Sequence, residues 1–130
     1  MGAQAYLFDD SYVADAALAQ YRVVVAGTTK NHVRLPTAQD ANAIIGVTQH
    51  STSASGDTVL VRRAGRTKIV VATGNLTYGV PLRIHDLQGR TDRQAAAWVS
   101  GDGVVGYSEE ASAASGDIIE CFLGIRTLLG

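Results

Sequence analysis

A constant offset of sixty residues runs through the middle of this chain and limits what it can fold into. Residues 44–57 read IIGVTQHSTSASGD and residues 104–117 read VVGYSEEASAASGD. Gly46 matches Gly106, and Ala54-Ser55-Gly56-Asp57 recurs without a gap as Ala114-Ser115-Gly116-Asp117. An apolar run follows each copy, Thr58-Val59-Leu60-Val61 after the first and Ile118-Ile119-Glu120-Cys121-Phe122 after the second. Upstream, Tyr21-Arg22-Val23-Val24-Val25 parallels Leu82-Arg83-Ile84 with a one-residue slip. A glycine, a tetrapeptide and flanking apolar runs in one register imply a duplicated supersecondary unit. The 130 residues suit one such domain. We read residues 1–19 as an N-terminal arm and 20–130 as a duplicated domain, with repeats at about 20–76 and 77–130.

The periodicity inside each repeat is that of strands. Valine-rich runs of four to eight residues alternate with Gly, Asn, Asp and Ser, the spacing of an all-β domain. Strands are predicted near 21–26, 31–35, 43–48, 58–63, 67–72, 80–85, 103–108 and 117–123. The pair 58–63 and 67–72 reads as a hairpin turned at Ala64-Gly65-Arg66. Two stretches, Thr37–Ala41 and Asp92–Ala97, are short enough to be helical only if packed. Strands in two related halves favour a small closed or nearly closed β-barrel, because closure removes exposed sheet edges. Gly46, Gly56, Asp57, Gly106, Gly116 and Asp117 are read as its structural turns. In each Gly-Asp pair the glycine takes positive φ and the aspartate bonds back to the backbone.

Chemistry is harder to find. His32, His50 and His85 sit in no recognisable motif, and Gly-x-Ser-x-Gly does not occur. Neither a His-x-x-x-His pair nor an acidic calcium loop is present, so no metal or cofactor is expected. Gly101-Asp102-Gly103 lacks the Lys-Ser/Thr that a phosphate loop needs. The single Cys121 falls in an alternating apolar strand and reads as a buried structural thiol, which excludes a disulfide framework within the chain. A catalytic use of His85 with Asp86 or Asp92 would require the fold to bring them together. No catalytic role is therefore assigned.

Lys+Arg is 11 against 12 Asp+Glu, a net charge of -1 that suits neither a nucleic-acid binder nor an acidic tail. No apolar stretch is long enough for a transmembrane helix, and no cation precedes Arg22 to form the basic start of a signal peptide. Synthesis in a reducing compartment is expected, in keeping with the single thiol. With 46% hydrophobic and only 18% charged residues, the chain can support a core, and part of its surface is expected to be covered. Two features mark candidate interfaces. Tyr6, Leu7, Phe8 and Tyr12 crowd an acidic segment holding Asp9, Asp10 and Asp15. Arg62, Arg63, Arg66 and Lys68 cluster further on, and no aromatic lies between Leu60 and Leu76 to stack a nucleic-acid base. Acidic arm and basic cluster are plausible partners between subunits, and the bland alternative makes the arm an ordinary first strand. Sole tryptophan Trp98 reads as a core or interface anchor.

Taken together, Ile45-Gly46-Val47, Ser55-Gly56-Asp57-Thr58-Val59-Leu60-Val61, Gly65, Thr77-Tyr78-Gly79-Val80-Pro81-Leu82, Gly89, Val105-Gly106-Tyr107 and Ser115-Gly116-Asp117-Ile118-Ile119 form a pattern. It resembles the capsid cement, or head decoration, proteins of tailed bacteriophages over roughly residues 20–124. The resemblance implies a small β-barrel or β-tulip on the outer surface of the virion head. It also implies a homotrimer that clamps neighbouring major capsid protein subunits, with no nucleic acid or membrane as partner. Multivalent attachment would strengthen individually weak contacts. Two other readings stay open: another phage assembly component of the tail or baseplate, and a β-barrel module for a small ligand. The second would call for more aromatics than the 6% present.

Overall fold

Valine- and isoleucine-rich strands, apolar on one side or on both, are buried in two hydrophobic cores. A computed structural model describes residues 7–37, 43–72, 74, 76–93 and 103–127. These residues form strands and no helix: β1 (Phe8–Ala14), β2 (Val23–Ala26), β3 (His32–Arg34), β4 (Ile44–Thr48), β5 (Thr58–Val70), β6 (Pro81–Ile84), β7 (Thr91–Arg93), β8 (Gly103–Ser108) and β9 (Ile118–Thr127). The sheet order is β1-β3-β2-β4-β5-β9-β8-β6-β7, and β1 also pairs with β5. That extra pairing closes β1, β3, β2, β4 and the first part of β5 into a five-stranded barrel. The all-β barrel expected from the sequence is thus present, with further strands attached.

Tyr12, Ala14, Leu18, Val24, Val33, Val59 and Val61 fill the barrel. The remaining strands form a second sheet on β5. Its Ile69, Leu82, Ile84, Val105, Ile119, Cys121 and Leu123 share one core with Val23, Val25, Ile44 and Val47 of β2 and β4. Alternate residues of β2 therefore serve two cores: Val24 points into the barrel, while Val23 and Val25 join the second cluster. The turn after β6 docks on the same strand, where Val23 N donates to Gly89 O at 2.8 Å and Arg22 Nη1 to Gln88 O at 3.0 Å.

Three expectations need correction. First, residues 58–63 and 67–72 are not a hairpin but one 13-residue strand, β5. Gly65, at φ 92°, bends the strand without reversing it. Before the bend β5 pairs with β1 up to Ala64, and after it with β9 from Gly65 onward. Second, Phe8–Ala14 is no arm. It is the antiparallel strand that closes the barrel, with register from Phe8↔Ala64 to Val13↔Thr58 and Tyr12 buried. The alternation that aims Tyr12 and Ala14 at the core was obscured by the acidic residues between. Third, Gly46 and Gly106 lie inside β4 and β8, not in turns. A Cβ on Gly46 would stand 2.1 Å from Arg62 O, and one on Gly106 would stand 2.1 Å from Phe122 O. Each glycine admits the neighbouring backbone beside a β-bulge, at Val24/Val25 and at Val104/Gly106.

Corresponding hydrogen bonds tie the two halves alike. Ala14 N donates to Asp57 O at 2.9 Å and receives Gly56 N on its own carbonyl at 2.8 Å. Val71 does the same with Asp117 O at 2.9 Å and Gly116 N at 2.8 Å. Val71 thus stands where Ala14 does, so β5 is both the last strand of one half and the first strand of the other. Thr91–Arg93 forms β7, and the rest of the second helical candidate, with most of the first and Trp98, lies outside the described residues.

Candidate functional site

Side chains on directly opposed residues of a sheet point to the same face, which makes β5, β9, β8 and β6 a common platform. Arg66 opposes Phe122, Phe122 opposes Tyr107, and Tyr107 opposes Pro81. One row across four strands therefore reads arginine, phenylalanine, tyrosine, proline. The neighbouring row holds Lys68 opposite Glu120. Phe122 is 43% and Tyr107 42% exposed, unusual for aromatics centred on a sheet. Beyond them Ile118 is 53% exposed on the same side of β9. Arg66 Nε reaches across to Glu109 Oε1 at 2.8 Å.

The platform runs into a groove of about 390 Å³ where β5 parts from β9. Phe8, Ile44, Ile45, Leu123 and Ile125 supply apolar walls, and Arg63 stands at the rim with its guanidinium 5.5 Å from the Phe8 ring centroid. Leu7 and Phe8 are about half exposed. Arginine and aromatics on one continuous surface are the composition of protein interface cores.

The sequence-derived candidates thus divide. Phe8, Arg63, Arg66 and Lys68 lie on or beside this surface, and Leu7 lies next to Phe8. Tyr12 does not, because it fills the barrel. Tyr6 lies outside the described residues. Arg62 is taken up within the chain: Nε donates to Asp9 Oδ1 at 2.7 Å and Nη2 to Asp9 Oδ2 at 3.0 Å. The Arg62 hydrogen bond holds the Asp9 carboxyl below the usual carboxylate range, and the same bond raises the Arg62 pKa. Acidic segment and basic cluster do meet, then, but as neighbouring strands of one barrel. Phe122 and Tyr107 were missed. The signal for Phe122 was present in Ile118-Ile119-Glu120-Cys121-Phe122, where Ile118 and Phe122 share the outward phase with Glu120.

The repeated Gly-Asp pairs are structural. Asp57 Oδ2 accepts from Ser53 N at 3.0 Å and Ala54 N at 3.1 Å, and Asp117 Oδ2 from Ala113 N at 2.9 Å and Ala114 N at 3.0 Å. These backbone donors lower both carboxyl pKa values. Two histidines also pair with carboxylates, His32 Nδ1 with Asp15 Oδ1 at 2.7 Å and His85 Nδ1 with Asp92 Oδ2 at 3.2 Å. In the first, the His32 bond and then Thr28 N lower the Asp15 pKa. Burial pushes the Cys121 thiol up to about 12. Among the described residues no group of three His, Cys, Asp or Glu could hold a metal ion, and no helix is long and apolar enough to cross a membrane.

No protein-family model matches the chain, and no curated protein matches its sequence. Among solved structures, the fold is similar to the crystal structure of the head fiber gp8.5 N base in bacteriophage phi29. The TM-score is 0.67 at 15% sequence identity, and the likeness covers 96% of this chain and 99% of the other.

Proposed function

We propose that this chain is a structural protein of a bacteriophage head. In this reading it sits on the outer surface of the shell, binds major capsid protein subunits and turns over no substrate. The observation that carries the reading is the end-to-end likeness to the base of a phage head fiber. The motif resemblance to head decoration proteins points the same way. An arginine- and aromatic-bearing surface suits it physically, since such surfaces contribute most of the binding energy at protein contacts. Attachment in several copies, as trimers in the resembled family, would let modest contacts hold a shell under internal pressure.

A second reading comes from the name of the structural neighbour: a base that anchors an appendage to the head, without bridging shell subunits. One experiment separates the two. The purified protein is mixed with expanded heads that lack it, and heads are pelleted and then challenged by osmotic shock. Cement predicts co-sedimentation and a larger fraction of intact heads. An anchoring base predicts co-sedimentation with unchanged survival. Protein left in the supernatant at saturating concentration would refute both.

A further inference from the structure

We infer that the groove beside β4 docks one extended strand of the major shell protein, a segment with an apolar residue next to a carboxylate. The inference rests on the head reading above and adds where and how the contact is made.

The second half of the chain displays the filled version of this site. There β9 runs on past Leu123 and keeps pairing with β8, Arg126 opposite Val104 and Thr127 opposite Gly103. Sixty residues earlier the same Arg-Thr pair is Arg66-Thr67, and the positions it would pair with are Ile44 and Ala43. In this half the strand never reaches them. Gly65, at φ 92°, stands where the other half has Ile125, and it turns Arg66 and Thr67 away to pair with Phe122 and Cys121 of β9. As a result β4 is in register with β5 only at Val47 and Thr48. On that side no strand among the described residues is in register with Ile44 or Ile45. The opposite edge of β4 is already taken by β2, with Val25 opposite Ile44. An open strand edge beside apolar walls is a place for a foreign strand to add. Main-chain hydrogen bonds along β4 give affinity, and the groove selects side chains.

Walls and charge define that strand. Phe8, Ile44, Ile45, Leu123 and Ile125 enclose about 390 Å³, room for an apolar side chain. Among the described residues the one charged group lining the groove is Arg63. Arg62 and Arg66 are paired with Asp9 and Glu109. No carboxylate of the described residues pairs with Arg63, whose guanidinium lies over the Phe8 ring. An acidic residue on the incoming strand supplies that counter-charge at a contact from which water is excluded.

The test is photocrosslinking of the full chain on expanded heads that lack it. Gly124 lines the groove, and a Cβ there meets only Tyr107 Cε2 at 3.9 Å, so a side chain is tolerated. A Gly124→Cys protein carries a benzophenone, and the buried Cys121 leaves the reagent to the introduced thiol. Lys30→Cys is the control, in the exposed turn at the other end of β1 from Phe8. Both proteins should sediment with the heads. Only the Gly124 probe should give an adduct with the major shell protein, mapped by mass spectrometry to one short segment where an apolar residue adjoins Asp or Glu. Arg63→Glu should raise the concentration needed to half-saturate the heads by at least about ten-fold, and Arg63→Lys should keep the wild-type value. Head-bound protein whose Gly124 probe gives no shell adduct, or crosslinks to a second copy of this chain, overturns the inference and leaves the head reading standing. So does an Arg63→Glu protein that binds like the wild type. Protein that stays off the heads altogether refutes the reading and the inference together.

Discussion

Gly46 and Gly106 offer a stringent test of the register that relates the two halves. An alanine Cβ at either position would lie 2.1 Å from a backbone carbonyl oxygen of the adjacent strand, Arg62 O or Phe122 O. At Gly46 the same carbon would also meet Val61 Cγ1 at 2.8 Å. Ordinary contact requires more than an ångström of extra separation, and the obstacle is main chain within a paired strand, which cannot rotate away. Inserting a methyl group into a well-packed interior costs about 1–3 kcal/mol, and an immovable neighbour puts these sites at about 3. For a domain of this size each kcal/mol lowers the melting temperature by about 4 °C, so Gly46→Ala and Gly106→Ala should each melt about 12 °C lower. Gly56→Ala and Gly116→Ala provide the contrast. A Cβ there meets nothing within 4 Å, and only φ values of 93° and 91° oppose the change. The penalty of a left-handed backbone is about 1–2 kcal/mol, or roughly 4–8 °C. Thermal unfolding followed by circular dichroism, with urea midpoints as a check, would rank the four. A Gly46→Ala protein melting within 3 °C of the wild type, or above Gly56→Ala, would refute the reasoning.

Three further outcomes follow from the same structure. Deleting residues 1–16 should abolish cooperative unfolding, because it removes Tyr12 and Ala14 from the barrel and the strand paired to Thr58–Ala64; a truncated protein with a sharp transition would contradict this. Asp9, Asp15, Asp57, Asp86 and Asp117 all bind a proton less readily folded than unfolded, so their contribution is complete above the unfolded value of 3.8 and fades as pH falls through the lower folded values. The melting temperature should therefore hold from neutral pH to about pH 5 and drop below about pH 4, and a decline beginning near pH 6 would point to other groups. Cys121, buried with its pKa at about 12, should resist a thiol reagent at pH 8 until urea unfolds the chain; rapid native labelling would be inconsistent with its place in the core.

What could be read in advance depended on how local the physics was. The Ala-Ser-Gly-Asp turns were legible because positive φ at glycine and an aspartate accepting two backbone N–H groups are settled within five residues. Strands β2, β4 and β8 were legible as short β-branched runs buried on both faces, and β9 by its alternation. The double role of β5 was not, since nothing local distinguishes a glycine that reverses a chain from one that bends it. Only the separate claims of β1 and β9 on either side of Gly65 decide the matter. Phe8–Ala14 was hidden for a related reason: three polar residues between Phe8 and Tyr12 mask a short buried alternation. Asp9 and Arg62 were expected to attract across subunits, but barrel closure brings them together within the chain. The exposed platform needed register as well as sequence, because Arg66, Phe122 and Tyr107 become neighbours only when three strands align.

The central claim is that the chain is a structural component of a phage head. Counting its copies on particles purified on a density gradient, by quantitative gel and mass spectrometry, tests that claim most directly. A head-surface role predicts a band at 13.6 kDa in numbers that scale with the major shell protein. Particles without the band would contradict it.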